Sequence, residues 1–241
     1  DARVQGSFPT ALDTAAHKLT GTERITYHNN SPDALAYLWF QLDQNIDDPK
    51  VSRAIASDPA WPEKISPAAR RFLAPEPFAG GDRIARVQVQ VPAGAKGKVK
   101  LVDVPYVING TELKIPLPTP LAAGSSAVLE IDWSYLVPET SQNGRGVREL
   151  VKDGWLYEMA QWYPRAAVYD DVNGWQTDQF LGQGEFYLDF GNYDVSLTVP
   201  HDHIVQGTGV VVNQAEVLSP TQRARLADAF TADTPKFIIT A

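Results

Sequence analysis

The sequence lacks cysteine altogether and has only one methionine and four histidines in 241 residues. Without cysteine it can form no disulfide framework and no cysteine-ligated zinc site. Basic residues are also few, since 21 lysines and arginines stand against 29 acidic residues and give a net charge of −8. Phosphate binding needs clustered basic side chains, so the sequence predicts no nucleic-acid partner.

Long apolar runs are absent as well. No stretch approaches the roughly 18 apolar residues of a membrane-spanning helix, so no membrane span is predicted. The sequence starts at Asp1 without a charged and then apolar leader, a pattern shared by a processed exported protein and by an excised domain. With 44% hydrophobic and 21% charged residues, the composition is typical of a soluble folded protein.

Alternation of apolar and polar residues, typical of β-strands, recurs along most of the chain. The apolar members are Val87, Val89 and Val91; Leu113, Ile115 and Leu117; Leu129, Ile131, Trp133, Tyr135 and Val137; and Tyr193, Val195, Leu197 and Val199. Each set would line one face of a strand, which predicts half-buried strands in antiparallel sheets. Turn sequences separate the strands at residues 29–33, 93–95, 109–110 and 173–174. The predicted fold is mainly β, a β-sandwich or open β-sheet with a few short helices.

Helices are predicted in two places, from Ser66 to Leu73 and from Pro220 to Phe230. The second has a strong start, because Ser219 is a good N-cap and Pro220 suits the first helical position. Residues 47–81, rich in proline and alanine, are interpreted as an excursion from the sheets. Residues 237–240 are interpreted as a strand that has just begun, which favours a chain cut short of its natural end.

No complete catalytic motif is present. The sequence has neither a G-x-S-x-G elbow nor an H-E-x-x-H motif, and a Ser-His-Asp triad could form only through the fold. His201 and His203 have a spacing that can place two imidazoles on one side of an extended chain, which is a metal-ligand geometry. The favoured alternative is a polar connector after a strand, with both histidines facing solvent.

Acidic residues offer a second candidate for catalysis. A glycosidase would need two carboxylates on facing walls, and several lie within one aromatic-rich stretch. These are Asp170, Asp171, Glu185 and Asp189. Acidic residues near turns are usually solvated or capping, so the sequence predicts no catalytic pair.

The stretch from Trp155 to Tyr193 is the most distinctive part of the sequence. Its aromatic residues are dense, do not alternate strictly, and are interrupted by polar residues that include Gln161, Arg165 and Gln176. Aromatic rings supply contact area at binding surfaces, while Gln and Arg supply directed hydrogen bonds. The residues alone leave two interpretations open, a binding surface or an irregular part of the core.

Several segments resemble one enzyme family. Residues 160–165, Ala-Gln-Trp-Tyr-Pro-Arg, resemble the Thr-Gln-x-Glu-Pro-x-x-Ala-Arg segment of the aminopeptidase N family of zinc metallopeptidases, the gluzincins. Residues 184–200 resemble the strand that follows in that family, and residues 205–213 fit its V-x-x-x-G-x-x-x-N hairpin. Residues 29–45 are similar to a bacterial, often exported, branch. The resemblance covers nearly the whole chain and is weakest between residues 47 and 81.

This resemblance implies a fold, partners and site residues. Residues 1–241 would form a single N-terminal β-saddle domain that is itself non-catalytic. It would pack on a downstream catalytic domain, and that domain would hold the zinc, its ligands and the general base. In the family the residue matching Gln161 lines the pocket for the peptide's N-terminal residue. Tyr163 stands where the family usually has Glu or Gln to hold the α-amine, and a phenol is uncharged at neutral pH.

The expectations for this chain are therefore no catalytic residue, no metal ligand, and Gln161 and Tyr163 as substrate-binding residues. Peptide substrate and the downstream domain are the expected partners, and an exported location is expected from the resemblance. One alternative is a stand-alone carbohydrate-binding module that uses Trp155, Trp162 and Trp175. Another is a scaffold domain from a relative that has lost its metal site.

Overall fold

The alternating segments form strands in a computed structural model, which describes residues 3–51, 78–94, 97–139, 145–181 and 187–240. The described residues fall into two compact units, Asp1–His201 and Asp202–Ala241. The prediction that residues 1–241 make one N-terminal domain stays a prediction. The helix predicted from Ser66 to Leu73 lies outside the described residues, as does most of the excursion between residues 47 and 81.

Among its described residues, the first unit contains fourteen strands and a 3-10 helix. The strands are β1 (Arg3–Asp13), β2 (Lys18–His28), β3 (Leu35–Gln41), β4 (Arg83–Pro92), β5 (Val99–Asp103), β6 (Val107–Asn109), β7 (Glu112–Leu121), β8 (Ser126–Leu136), β9 (Val147–Val151), β10 (Gly154–Glu158), β11 (Arg165–Ala166), β12 (Tyr169–Asp170), β13 (Gly174–Trp175) and β14 (Gly191–Thr198). The 3-10 helix spans Asp43–Asp47. The predicted mainly-β fold with few helices is confirmed.

Two sheets enclose the core. A six-stranded sheet has the order β14-β1-β2-β8-β4-β5, and a four-stranded sheet has the order β11-β3-β7-β6. The inward residues of both sheets pack into one cluster, which includes Ile25, Leu38, Ile115, Ile131 and Trp133. Burying one such side chain stabilises the fold by about 1.5–3 kcal/mol. The β-sandwich is therefore held by the alternating residues from which it was predicted.

The alternation correctly identified β4, β7 and β8. Val87, Val89, Leu113 and Ile115 are buried, as are all five apolar residues from Leu129 to Val137. The predicted turns at 29–33, 109–110 and 173–174 also connect strands, and Gly110 and Gly174 adopt positive φ angles of 59° and 70° in two of them. Glycine adopts this left-handed conformation without steric cost.

The strand β14 departs from the prediction of antiparallel pairing. It pairs with β1 in parallel, from Val4↔Gly191 to Ala11↔Thr198, and its apolar residues Tyr193, Val195 and Leu197, which were predicted to be half-buried, are 43–48% exposed. Alternation indicates which residues share a face, whereas strand direction depends on the connection between strands. Some 180 residues separate these two strands, so the direction was not readable from either one.

The second unit is helical and irregular. Helix α1 spans Gln214–Val217 and helix α2 spans Pro220–Ala229. The predicted start of α2 is confirmed, because Ser219 and Gln222 form a capping box. The predicted hairpin at 205–213 and strand at 237–240 are wrong, since these described residues form no strand. Val210 and Val212 are exposed, so the apolar residues there lack the sheet surface that stabilises a strand.

Gly21 is required by the packing of the core. A Cβ added there would overlap Cζ2 of Trp133, whose indole lies over the β2 backbone. We expect Gly21→Ala to lower the free energy of unfolding by about 1–3 kcal/mol, as over-packing of a core does. Urea denaturation would measure the change. Gly207→Ala, where an added Cβ meets nothing within 4 Å, is the control, and equal stability of the two variants would contradict the assignment.

Candidate functional site

The segment that carries Gln161 and Tyr163 joins two strands of different sheets. It covers residues 160–165, here called the site segment, and follows β10. Its last residue, Arg165, opens β11 and pairs with Gln41 of β3. The same Gln41 pairs with Glu112 of β7, so Arg165, Gln41 and Glu112 lie in one row across three strands. The site segment is therefore anchored to the rim of the four-stranded sheet.

The 3-10 helix holds the site segment at both ends. Nε2 of Gln44 donates to the carbonyl oxygens of Ala160 and Gln161, each at 3.0 Å. One residue earlier, the carboxylate of Asp43 accepts from Nε of Arg165 at 2.9 Å and also from Nη2. Charge-assisted bonds of this kind are about twice as strong as neutral ones. Two neighbouring side chains thus fix the entrance and the exit of the segment.

Gln161 has an unusual backbone conformation. Its φ is 46°, and within the described part of the chain His17, at 50°, is the other non-glycine residue with positive φ. Such a conformation costs about 1–3 kcal/mol and persists only where neighbouring contacts enforce it. The bonds from Gln44 supply that enforcement. The Gln161 side-chain oxygen is buried and has no hydrogen-bond partner among the residues that the structure describes.

Tyr163 lies in a group of aromatic rings. Its ring centroid is 4.8 Å from that of Trp162, 4.9 Å from Phe8 and 6.0 Å from Tyr193. These are favourable distances for aromatic pairs. Burial raises the pKa of Tyr163, and the neighbouring Tyr193, which is hydrogen-bonded to it, raises it further. The phenol therefore stays neutral across the physiological range and can act only through hydrogen bonds and packing.

A cavity of about 100 Å³ opens beside Tyr163. Its lining consists of Tyr27, Tyr163, Arg165, Ala166, Ala167, Leu188, Asp189 and Tyr193. Burial raises the pKa of Tyr27, and the negative charge of Asp189 adds to the shift. Gln161 is not among the lining residues. The structure therefore brings Tyr163 to this cavity together with Tyr27 and Tyr193, which the sequence analysis did not single out.

Besides Asp47, which is 7% exposed, four carboxyl groups are buried in the described part of the first unit. This buried acid cluster consists of Glu23, Asp43, Asp82 and Glu112, each at most 5% exposed. Oδ2 of Asp43 binds Arg165. Six other oxygens of the cluster are buried without a hydrogen-bond partner among the described residues: Glu23 Oε1 and Oε2, Asp43 Oδ1, Asp82 Oδ1, and Glu112 Oε1 and Oε2. Burying an ionised carboxylate without a partner is costly, and such groups tend to keep their proton instead.

The pKa values of the cluster follow from that burial. Burial raises the pKa of Asp82 to about 8, with the charge of Asp43 adding to the shift. Burial also raises the pKa of Glu112 to about 8, and the charges of Asp43 and Asp178 act in the same direction. Burial raises the pKa of Asp43 too, although the Arg165 guanidinium opposes the shift. The sequence analysis missed this cluster, yet Glu23 is in phase with the buried Leu19, Ile25 and Tyr27 of β2, which was a readable signal.

Two of the other candidates from the sequence, Asp170 and His203, have ordinary structural roles. Asp170 accepts from the backbone nitrogens of Val172 and Asn173 at 3.0 and 2.8 Å, and these bonds lower its pKa. His203 bonds to Asp202 at 2.9 Å in an exposed turn. Glu185 lies outside the described residues. Within the described ranges, no three His, Cys, Asp or Glu side chains are grouped so that they could hold a metal ion.

The three tryptophans proposed for carbohydrate binding have different neighbours. Trp162 packs against Trp133 at 5.8 Å and Trp175 against Tyr169 at 5.2 Å, and both are half-buried on the core. Trp155 packs against His17 at 4.6 Å and lies under the guanidinium of Arg148. The aromatic stretch thus combines the two interpretations, since its rings contact the core on one side and remain partly exposed on the other.

No protein-family model matches the chain, and no curated protein matches it. Solved structures do match. A mutant M1 zinc metallopeptidase from Deinococcus radiodurans, bound to a Tyr-Ser-Ala substrate, is 12% identical to this chain and aligns with a TM-score of 0.44. The match covers 88% of this chain and 36% of the metallopeptidase chain. Another structure of an M1 zinc metallopeptidase from that organism is 14% identical with a TM-score of 0.41, covering 87% and 35%.

A two-domain M1 zinc metallopeptidase mutant bound to L-tryptophan also matches, at 12% identity and a TM-score of 0.38, covering 83% of this chain and 33% of its own. The chain therefore spans about a third of the length of these structures. Among the described residues, no helix is long and apolar enough to cross a membrane.

Proposed function

We propose that this chain is the non-catalytic N-terminal domain of an exported zinc metallopeptidase of the aminopeptidase type. In this proposal it packs on a downstream catalytic domain, which holds the zinc and the general base, and its site segment forms one wall of the peptide-binding cleft. The observation that carries the proposal is the site segment itself. The residues that resemble the family motif are the ones that the structure holds in a strained, clamped conformation.

Strain of this kind supports a binding role. A glutamine with φ of 46° would relax in an ordinary loop, but the two bonds from Gln44 keep it in place. Such preorganisation reduces the entropy lost when a ligand binds. Tyr163 adds a neutral hydroxyl beside the cavity. The buried side-chain oxygen of Gln161 must turn outward to meet a peptide, so the proposal includes a side-chain rotation on binding.

The proposal predicts a loss of peptide hydrolysis when Gln161 is changed in the full-length protein. A hydrogen bond to a charged group contributes about 1.5–3 kcal/mol, so Gln161→Ala should lower kcat/KM for peptides about 10- to 100-fold. Gln88→Ala is the matched control, because Gln88 bonds Asp103 on an exposed sheet surface. Unchanged kcat/KM in Gln161→Ala would remove this residue from the substrate-binding site.

The isolated chain provides a second test of the same proposal. We expect no hydrolysis of aminoacyl-p-nitroanilides and no stoichiometric zinc in metal analysis of the purified chain. Tight zinc binding or turnover by residues 1–241 would overturn the assignment of a non-catalytic domain. Glycan binding that is lost in Trp162→Ala, with the circular dichroism spectrum unchanged, would favour the carbohydrate-binding alternative. Sequencing the gene downstream of Ala241 for H-E-x-x-H distinguishes an active parent from a metal-less relative.

A further inference from the structure

The cavity beside Tyr163 has aromatic walls that come from three separate parts of the chain. Tyr27 belongs to β2, Tyr163 to the site segment and Tyr193 to β14. Phe8 supports two of them, since its ring centroid is 4.9 Å from that of Tyr163 and 5.6 Å from that of Tyr193. Tyr27 is 1% exposed and Tyr193 is 47% exposed, so the cavity has one wall in the core and another at the surface.

Two charged side chains, Arg165 and Asp189, complete the polar part of the lining. The guanidinium of Arg165 is bound by Asp43, whose Oδ2 accepts from its Nε at 2.9 Å and also from its Nη2. The side chains of this ion pair are only 11% and 0% exposed, so the positive charge of Arg165 is largely cancelled where it meets the cavity. The carboxylate of Asp189 therefore gives the cavity a net negative charge.

A carboxylate among tyrosines is a combination that recognises organic cations. An ammonium group is attracted to aromatic rings, and its N–H groups can donate to carboxylate and phenol oxygens. Asp189 would repel an anion, and a neutral apolar ligand would displace water from its carboxylate without replacing the hydrogen bonds. The charge and the aromatic walls of the cavity therefore favour a cation over the other two classes of ligand.

The size of the cavity limits the ligand further. Its volume of about 100 Å³ holds several water molecules. Pockets for drug-sized ligands begin at roughly 300 Å³, so this cavity suits a single functional group. Two alanines, Ala166 and Ala167, belong to the lining, and their small side chains leave room for an ammonium group on a short alkyl chain.

We propose that the cavity beside Tyr163 is a binding site for a primary ammonium group, carried by a small amine or by a lysine side chain. The N–H groups donate to the carboxylate of Asp189, while Tyr27 and Tyr193 stand on the buried and the exposed side of the cation. The site goes beyond the proposed function and does not rest on it, since neither Gln161 nor a downstream domain takes part.

The pKa of Tyr27 supports this arrangement. Burial raises that pKa, and the negative charge of Asp189 raises it further. The field of the Asp189 carboxylate therefore extends to the tyrosine in the buried wall. A field that opposes a second negative charge on Tyr27 attracts a positive charge that enters the same cavity.

An NMR titration of the 241-residue chain with n-butylammonium chloride, at constant ionic strength, tests the proposal. We expect saturable binding at one site with a Kd on the order of 1 mM. The neutral 1-butanol should bind at least about 10-fold more weakly, and Asp189→Asn should weaken n-butylammonium binding about 10- to 100-fold, because both changes remove a charge-assisted hydrogen bond. Asp194→Asn is the matched control. It removes an equal charge from an exposed position on β14 outside the lining, and salt screens such a charge, so the Kd should stay within about twofold.

A variant of the aromatic wall gives a second measurement if Asp189→Asn fails to fold. Tyr193→Leu removes a ring from an edge strand where it is already 47% exposed, and we expect binding to weaken about threefold or more. Tyr193→Phe keeps the ring and should keep most of the affinity. Equal affinity of the leucine and phenylalanine variants would contradict the aromatic part of the site.

The remaining outcomes also decide the matter. Equal binding of n-butylammonium and 1-butanol, or an unchanged Kd in Asp189→Asn, would overturn the proposal. Nα-acetyl-lysine amide distinguishes the two carriers, because its binding assigns the site to a lysine side chain as well, whereas binding of n-butylammonium alone assigns it to free amines. Binding of neither probe refutes the site. None of these measurements uses peptide hydrolysis, so the ammonium site and the proposed function can fail separately.

Discussion

Replacing Arg165 by methionine is expected to lower the free energy of unfolding of the first unit by about 3–5 kcal/mol at pH 7, because the change leaves Asp43 buried without its cation. Asp43 is 1% exposed, and its negative charge raises the pKa values of Asp82 and Glu112. Burial raises its pKa, and Arg165 is the group that opposes this rise. Without Arg165, the Asp43 carboxyl would take up a proton.

The loss of unfolding free energy in Arg165→Met should therefore become smaller as the pH falls, since a protonated Asp43 no longer needs the guanidinium. Urea denaturation at pH 5 and pH 7 would measure both values. Arg86→Met is the matched control, because Arg86 forms an exposed ion pair with Asp132 and surface pairs contribute little. An equal effect of the two substitutions at pH 7 would show that Arg165 has no special role in the buried acid cluster.

Replacing Glu112 by glutamine is expected to stabilise the protein at pH 9 and to change it little at pH 5. The pKa of Glu112 is raised from 4.5 to about 8 in the folded state. Because the pKa is raised in the folded state, the contribution of Glu112 to stability is fully present below pH 4.5 and is lost as the pH rises through 8. Each pKa unit corresponds to about 1.4 kcal/mol, so this loss amounts to several kcal/mol in the wild type.

The glutamine side chain does not titrate, so the stability of the variant should decline less steeply between pH 5 and pH 9 than that of the wild type, and the buried acids that remain, such as Asp82, account for the residual slope. Thermal unfolding followed by circular dichroism at several pH values would reveal the difference. Glu130→Gln, on the outer surface of β8, should leave the slope of the wild type unchanged. A wild-type stability that rises from pH 5 to pH 9 would contradict the protonated state assigned to Glu112.

Much of the fold was predictable because its physical cause is local. The alternation from Leu129 to Val137 specifies which side of β8 is buried, whatever the strand pairs with. Likewise, Ser219 and Pro220 define the start of α2 through bonds within four residues. The pairing of β14 with β1 was not predictable in the same way, because its direction depends on how far-apart segments of the chain meet.

The candidate site was predictable only in part. The resemblance indicated Gln161 and Tyr163, whereas Gln44 was not singled out even though it lies 117 residues before Gln161 and holds its carbonyl. Nothing in a sequence shows that one amide binds two distant carbonyls. The buried acid cluster was missed for a related reason. An acidic residue such as Glu112 is assigned to the surface by composition, and only the assembled sheets show that it is buried.

The hold of Gln44 on residues 160 and 161 has a consequence for protein engineering. The site segment is not a portable loop, because its shape is supplied by a helix more than a hundred residues earlier in the chain. A synthetic peptide with the same sequence would lose the left-handed turn at Gln161, and a graft into another scaffold would fail without residues 41–47. Transplanting this segment means transplanting two pieces of chain in a fixed relation to each other.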